Sequence, residues 1–116
     1  RQGRLKFYLS NWSDIAGQDV DLALYEIPYA GRSGAHRHIA EEILLVLEGS
    51  GHDIHDGSRH SWEAGDVICV PPMTAHQHVN DGDGAARLLT AWMHHPANEF
   101  LGGVEHIEDA SGWSRR

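Results

Sequence analysis

Cysteine, positive charge and long apolar runs are all scarce in this sequence of 116 residues. The one cysteine excludes an internal disulfide and favours a reducing compartment, so we expect a cytoplasmic protein. It lies in the apolar run VICV, which predicts that Cys69 is a buried core thiol. No run approaches the roughly 18 apolar residues of a membrane helix, and we therefore expect no membrane partner.

Basic residues are outnumbered by acidic ones. Lysine and arginine number 9 against 17 aspartates and glutamates, which gives a net charge of 9 − 17 = −8. No basic cluster offsets this charge, so nucleic acid would meet a repulsive surface and is not an expected partner. The 10 histidines, in contrast, exceed what packing requires and indicate a ligand role for some of them.

Short apolar segments separated by Gly, Pro, Asn and Asp predict an all-β fold of about eight strands in one domain, residues 1–116. The segment EILLVLEG predicts a buried strand that is apolar on both faces. Asp56-Gly57 is a type I′ turn signal, which predicts a hairpin with strands near 50–55 and 58–63. The segments VICV, HQHVN and ARLLTAWMHH predict further strands. We expect a core of about residues 20–95, with terminal segments that cover it or reach a partner subunit.

Two pairs of histidines have the i, i+2 spacing that puts both rings on one face of a strand. His36 and His38 have Cα atoms roughly 6–7 Å apart in a strand, and two imidazoles can converge on one ion at that distance. His76 and His78 repeat the spacing directly after a Pro-Pro turn. Imidazole suits Zn, Fe, Ni, Cu or Mn, and a carboxylate adds charge neutralisation.

Two adjacent glutamates follow the first histidine pair, and either could complete a metal site. An unbroken strand would separate His36 from Glu42 by about 20 Å, so a glutamate ligand requires the segment HIAEE to turn. Face patterning favours Glu41, because its face of the following strand is the more apolar. The residues on that face are Ile43, Leu45 and Leu47. Local reasoning leaves the choice between the two glutamates open.

The chain resembles a small single-domain cupin of the conserved-barrel type. The first cupin motif is G(X)5HXH(X)3,4E(X)6G, and HRHIAEEILLVLEG matches it from the first histidine to the last glycine. The matching residues are His36, His38, Glu42 and Gly49. Gly31 lies one residue closer than the motif requires. The spacing to Gly49 reverses the preference from Glu41 to Glu42.

The second cupin motif, G(X)5PXG(X)2H(X)3N, is matched at its own spacing by a separate segment. The matching residues are Gly65, Pro71, His76 and Asn80. Met73 stands where the family has a glycine, which usually supplies a positive φ. The resemblance covers roughly residues 20–95 and implies a double-stranded β-helix.

Carried over by position, the resemblance implies a site for one divalent metal ion, whether Fe, Mn, Ni or Zn. The implied ligands are His36, His38, Glu42 and His76. Three histidines and one glutamate leave coordination positions open, as catalytic metal sites do. Glu42 is also the expected catalytic residue, because it can modulate charge or take a proton.

Other side chains are expected around this site. The candidates for lining a pocket are Tyr25, Leu44, Trp62, His78 and Trp92. For His78, a role in packing alone is equally consistent with the sequence. His52, His55 and His60 surround the predicted hairpin, and we expect solvated or cross-strand roles for them.

The function that the resemblance favours is a mononuclear non-haem dioxygenase acting on a small phenolic or enolic substrate. The segment VPPMTAHQHVN also resembles gentisate-type dioxygenases, although that group commonly lacks the first-motif carboxylate, and Glu42 weakens this assignment. One alternative is a redox-neutral isomerase, decarboxylase or lyase. Another is a cupin that binds a small ligand without turnover.

If Glu42 faces the interior, the apolar face formed by Ile43, Leu45 and Leu47 needs cover from outside the barrel. We therefore expect a homodimer. The N-terminal residues expected to contribute to it are Phe7, Leu9 and Trp12.

Overall fold

The computed structural model of the protein describes residues 6–9, 20–93 and 104–108, which form ten strands and no helix. The strands are β1 (Lys6–Leu9), β2 (Val20–Ile27), β3 (Ala35–His38), β4 (Glu42–Glu48), β5 (Ser50–His55), β6 (Ser58–Glu63), β7 (Val67–Val70), β8 (His76–Asn80), β9 (Ala86–Met93) and β10 (Val104–Glu108). Nothing helical in these ranges is long and apolar enough to cross a bilayer. The all-β prediction is confirmed.

The strands form two antiparallel sheets of five strands each. Sheet 1 has the order β1-β2-β9-β4-β7, and sheet 2 has the order β10-β3-β8-β5-β6. Because successive strands such as β3 and β4 lie in opposite sheets, the architecture is the expected double-stranded β-helix. The core between the sheets contains Ile27, Leu44, Val46, Trp62, Ile68, Val70, Ala86 and Leu88.

Strand β4 is apolar on both faces, and the structure shows what each face contacts. Leu44 and Val46 point between the sheets and are fully buried. Ile43 and Leu47 point outward and are 48% and 46% exposed. The inward face therefore supplies the core, while the outward face of sheet 1 presents apolar side chains to solvent.

The hairpin between β5 and β6 has the bounds that its turn residues predict. Asp56 and Gly57 have φ values of 46° and 85°, the pair of positive values that defines a type I′ turn. The Asp56 carboxylate also accepts a hydrogen bond of 2.9 Å from the Ala75 N–H. This bond ties the hairpin to the loop that leads into β8.

The segments outside the expected core add strands to both sheets, which accounts for ten strands instead of about eight. β1 pairs with β2 at one edge of sheet 1, and β10 pairs with β3 at one edge of sheet 2. Phe7 and Leu9 thus lie on a strand that pairs within the same chain. Trp12 lies outside the described residues.

The prediction of a buried thiol at Cys69 is wrong, because this side chain is exposed. Strand β7 alternates, with Ile68 and Val70 buried in the core and Val67 62% exposed. Cys69 shares the outward face with Val67, and no described residue covers that face of sheet 1. A run that is apolar on both faces does not reveal how many of its faces are covered.

Asn80, the last residue of the second motif, connects two loops. Its side-chain Nδ2 lies 3.1 Å from the Ile27 carbonyl and 2.8 Å from the Gly84 carbonyl, and its Oδ1 accepts a hydrogen bond from the Gly82 N–H. Because the residue is buried, these contacts replace the hydration that its amide loses. Asn80 therefore holds the end of β2 against the turn that follows β8.

Met73 adopts the backbone conformation that glycine supplies in the second motif. Its φ is 60°, and its N–H donates a hydrogen bond of 2.8 Å to the carbonyl of His38. The loop before β8 is therefore fastened to the strand that carries the first histidine pair. A side chain in this left-handed region is strained, most of all when it is β-branched.

This geometry predicts opposite outcomes for two substitutions of Met73. Met73→Val is expected to lower the free energy of unfolding by about 1–2 kcal/mol, because a β-branched residue resists a positive φ. Met73→Gly is expected to change it by less than about 1 kcal/mol, since relief of strain offsets the greater freedom of the unfolded chain. Urea unfolding of both variants measures the difference. A glycine variant less stable than the valine variant would contradict the assigned conformation.

Candidate metal centre

Four side chains from three strands meet between the two sheets. His36 and His38 come from β3, Glu42 is the first residue of β4, and His76 is the first residue of β8. Each offers one nitrogen or oxygen atom, and these atoms all lie within 4.8 Å of one another. Side chains distant in sequence thus form one cluster of three imidazoles and a carboxylate, which is called the metal-ligand cluster below.

The chain reaches this arrangement by changing sheets between β3 and β4. Strand β3 ends at His38, and only residues 39–41 separate it from Glu42 in the opposite sheet. His36 is also directly paired with His76 across β3 and β8. The segment HIAEE therefore does turn, and Glu42 is buried in the cluster whereas Glu41 is exposed.

The Glu42 carboxylate lies at the centre of the cluster. Its Oε1 is 3.4 Å from His38 Nε2 and 3.3 Å from His76 Nε2, while its Oε2 accepts a short hydrogen bond from the Thr90 hydroxyl. Burial raises the pKa of Glu42, but the neighbouring rings of His38 and His76 outweigh burial and hold the pKa well below its usual range. Glu42 is therefore ionised and fixed by Thr90.

Backbone carbonyl groups orient two of the imidazoles. The Nδ1–H of His38 donates to the Ala40 carbonyl at 2.7 Å, and the Nδ1–H of His76 donates to the Thr74 carbonyl at 2.8 Å. Because a carbonyl oxygen only accepts, each Nδ1 carries a proton, and each ring is oriented so that Nε2 faces the cluster. Nε2 is therefore the nitrogen that would coordinate an ion, once it is free of its own proton.

Two further observations indicate that the cluster can hold a divalent metal ion. The Nε2 atom of His76 is buried, and no described residue forms a hydrogen bond with it. A metal ion would supply the missing partner of this atom. Burial and the nearby His76 lower the pKa of His36 to about 3, so this imidazole stays neutral and able to coordinate. Such a set of nitrogen and oxygen ligands suits Fe, Mn, Ni or Zn.

The side chains expected to line a pocket occupy different environments. Leu44 packs in the core, whereas Trp62 and His78 are buried and contact a common carboxylate. Trp92 is half-buried and lies opposite Glu42 in the pairing of β4 with β9. Tyr25 lies on β2, but its side chain is outside the described set. Their roles toward a substrate stay predictions.

The common carboxylate belongs to Asp53, which the sequence interpretation overlooked. Asp53 is fully buried and accepts hydrogen bonds from Trp62 Nε1 at 2.8 Å, His78 Nδ1 at 2.7 Å and His55 Nε2 at 2.9 Å. Burial raises its pKa, but the charge of His78 and these hydrogen bonds lower it below the usual range. The alternation of the segment HDIH, which puts Asp53 and His55 on one strand face, is the signal that could have identified it.

Comparison with known proteins gives several relatives. A family model described as a cupin domain matches residues 23–93. The chain is 36% identical over 56 residues to 5-aminosalicylate 1,2-dioxygenase from a Comamonas species, covering 48% of this chain and 15% of that protein. It is 33% identical over 76 residues to dimethylsulfoniopropionate lyase DddW from Ruegeria pomeroyi, covering 66% of this chain and 50% of that protein. The chain thus spans half or less of the length of these two relatives.

A solved structure agrees with the sequence match. A cupin 2 conserved barrel domain protein from Salinispora arenicola has a TM-score of 0.64 to this chain at 27% identity, covering 77% of this chain and 73% of that one. The span of the family model includes every residue of the metal-ligand cluster and covers more than half of the chain. The strand order, the two motifs and the family match agree, and this chain belongs to the cupin domain family.

Proposed function

We propose that this protein is a metal-dependent dioxygenase that acts on a small phenolic or enolic substrate. The observation that carries the proposal is the cluster of three imidazoles and one carboxylate between the sheets, which would leave positions on an ion open for oxygen atoms. Similarity to a protein named as an aminosalicylate 1,2-dioxygenase supports the reaction class. When bound, the ion would supply Lewis-acid and redox chemistry.

The residues around the cluster have separate tasks in this proposal. The carbonyl groups of Ala40 and Thr74 hold the rings of His38 and His76 in the coordinating orientation. The Thr90 hydroxyl fixes one carboxylate oxygen of Glu42 and leaves the other facing the rings. Because its pKa is well below the usual range, Glu42 is a weak base, and we propose that it acts mainly by its negative charge.

A redox-neutral lyase, isomerase or decarboxylase is the second candidate. The observation that favours it is the relative named as a lyase, whose match covers more of this chain than the match to the dioxygenase does. In this candidate, the same four residues would hold an ion that polarises a carbonyl group without a change of valence.

Oxygen consumption distinguishes the two candidates. Protein purified without chelator is analysed for metal, loaded with Fe(II) and tested in an oxygen electrode against a panel of phenols and diketones. The proposal predicts uptake that depends on one of these substrates and is abolished by His76→Ala, with His52→Ala as the control on an outer strand face. Bound metal without oxygen uptake for any member of the panel would contradict the dioxygenase and favour redox-neutral chemistry or simple binding.

We also propose that the outward face of sheet 1 is covered by a second copy of the chain. Ile43, Leu47 and Val67 are 48%, 46% and 62% exposed on this face. Contiguous apolar side chains at a surface favour association. Light scattering at micromolar concentration is expected to give the mass of two chains, and Val67→Asp is expected to give that of one. Tyr29→Asp, at another exposed position, is the control. A monomeric unaltered protein would contradict the proposal.

A further inference from the structure

A cavity of about 280 Å³ lies between β6 and β7, the edge strands of the two sheets. His55, His60 and Trp62 line it from sheet 2, while Val67 and Ile68 line it from sheet 1. No residue of the metal-ligand cluster is part of its wall. The cavity is therefore a separate, partly open space. Ser61, Asp66 and Cys69 complete its wall, so polar groups stand beside the aromatic rings and the aliphatic side chains.

His55 presents one ring nitrogen that the protein does not use. Its Nε2 lies 2.9 Å from the ionised carboxylate of Asp53. Because a carboxylate only accepts, Nε2 carries a proton, and in the neutral ring Nδ1 keeps a lone pair. Within the described part of the chain, no hydrogen bond involves this Nδ1. Because His55 is part of the cavity wall, Nδ1 is the ring nitrogen that remains for a ligand there.

Asp53 also fixes the surroundings of this acceptor. The same carboxylate that holds His55 accepts the indole N–H of Trp62, so both rings are positioned by one buried group. The His60 ring lies 5.0 Å from the His55 ring, between centroids, and tilts by 44°. The acceptor is therefore flanked by aromatic rings that would contact a planar ligand.

We propose that this cavity binds a single aromatic ring bearing a hydroxyl group, and that His55 Nδ1 accepts the hydrogen bond of that hydroxyl. The volume suits one ring, since an apolar cavity of about 150 Å³ already holds benzene. His55 lies opposite His76 in the pairing of β5 with β8, with ring centroids 6.4 Å apart, so the cavity is one strand from the metal-ligand cluster. The choice of a phenol as the ligand class rests on the proposed function.

Binding of two matched probes tests this inference without any substitution. 4-Fluorophenol and fluorobenzene are titrated into protein without added metal and followed by fluorine NMR and by the indole N–H signal of Trp62. That signal is identified by its loss in Trp62→Phe. 4-Fluorophenol is expected to shift the Trp62 signal saturably and to bind about tenfold more tightly than fluorobenzene, the effect of one hydrogen bond. Equal affinities, or binding that leaves the Trp62 signal unchanged, would overturn the inference.

Two histidine variants locate the hydrogen bond. His55→Phe keeps a ring in the wall and removes the acceptor, so the affinity for 4-fluorophenol is expected to fall about tenfold, to that for fluorobenzene. His52→Phe is the matched control, because His52 lies on the same strand and is bonded to Asp81 at 2.6 Å on the other strand face. Equal losses in both variants would refute a role for His55.

The test of binding at the cavity and the test of oxygen uptake can fail independently of each other. Oxygen uptake without binding at the cavity would remove this inference and leave the proposed function standing. Saturable binding at the cavity without oxygen uptake for any phenol would support the inference and contradict the proposed dioxygenase.

Discussion

Asp53→Ala is expected to lower the free energy of unfolding by about 3–5 kcal/mol, because it removes one partner of a buried charged group. The Asp53 side chain is fully buried, and its loss would leave three donors without an acceptor. These donors are on His55, Trp62 and His78. Urea unfolding followed by circular dichroism measures the effect.

Asp81→Ala is the matched control for this substitution. Asp81 also accepts from a histidine ring, at 2.6 Å from His52 Nδ1, but its side chain is 43% exposed. Water can replace this contact, so the loss is expected to be less than about 1 kcal/mol. Similar losses for the two alanine variants would contradict the structural role assigned to Asp53.

The same carboxylate predicts a dependence of stability on pH. Since the pKa of Asp53 is lower in the folded protein than in the unfolded chain, its contribution is present above the unfolded pKa and is lost as the pH falls. The free energy of unfolding is expected to decrease below about pH 4, and less steeply in Asp53→Asn. Urea unfolding at several pH values tests this expectation. An unchanged slope in the variant would contradict it.

His76→Ala is expected to weaken the binding of a divalent metal ion by about 100-fold or more. Removing a group that only orients a ligand already costs about 10- to 100-fold, and His76 supplies a ligand atom itself. Isothermal titration of the metal-free protein with Mn(II) or Zn(II) measures the change. The loss of affinity follows from the position of the Nε2 atom beside the Glu42 carboxylate.

His60→Ala is the control for the metal measurement. His60 lies on the exposed part of β6 and is not a member of the metal-ligand cluster. Its substitution is expected to leave metal affinity unchanged. An equal loss in both variants, or an unaltered affinity in His76→Ala, would show that the metal binds elsewhere.

Local patterns in the sequence predict much of this fold. The Asp56-Gly57 turn defines the β5–β6 hairpin, because only residues that tolerate positive φ fit a type I′ turn. Once Glu42 is placed inward, strand periodicity predicts that the other apolar face of β4 points outward, and Ile43 and Leu47 are exposed there. These features depend on residues close together in the chain, where turn chemistry and strand periodicity decide the structure.

The choice between the two glutamates shows where local patterning is insufficient. The residues of β4 that share a strand face with Glu41 are the more apolar set, which favours Glu41 as the inward residue. In the structure this face points outward, and Glu42 points into the cluster. Only the spacing of the family motif favoured Glu42. Both faces of β4 are apolar, so a pattern of hydrophobicity cannot identify the inward one.

Contacts between distant strands account for what the sequence did not predict. Strand alternation puts Asp53 and His55 on one face, but no local rule shows that Trp62 on β6 and His78 on β8 converge on the same carboxylate. Likewise, the exposure of Cys69 depends on what covers sheet 1 and not on its own neighbours in sequence. Whether such a side chain is buried or exposed depends on how the two sheets assemble.

We propose that one divalent ion binds to His36, His38, Glu42 and His76 together. X-ray absorption of the protein loaded with one equivalent of Fe(II) tests it most directly, because imidazole rings give characteristic scattering beyond the first coordination shell. Three imidazoles and a carboxylate are expected around the iron. A spectrum with only oxygen neighbours, or with fewer than three imidazoles, would contradict it.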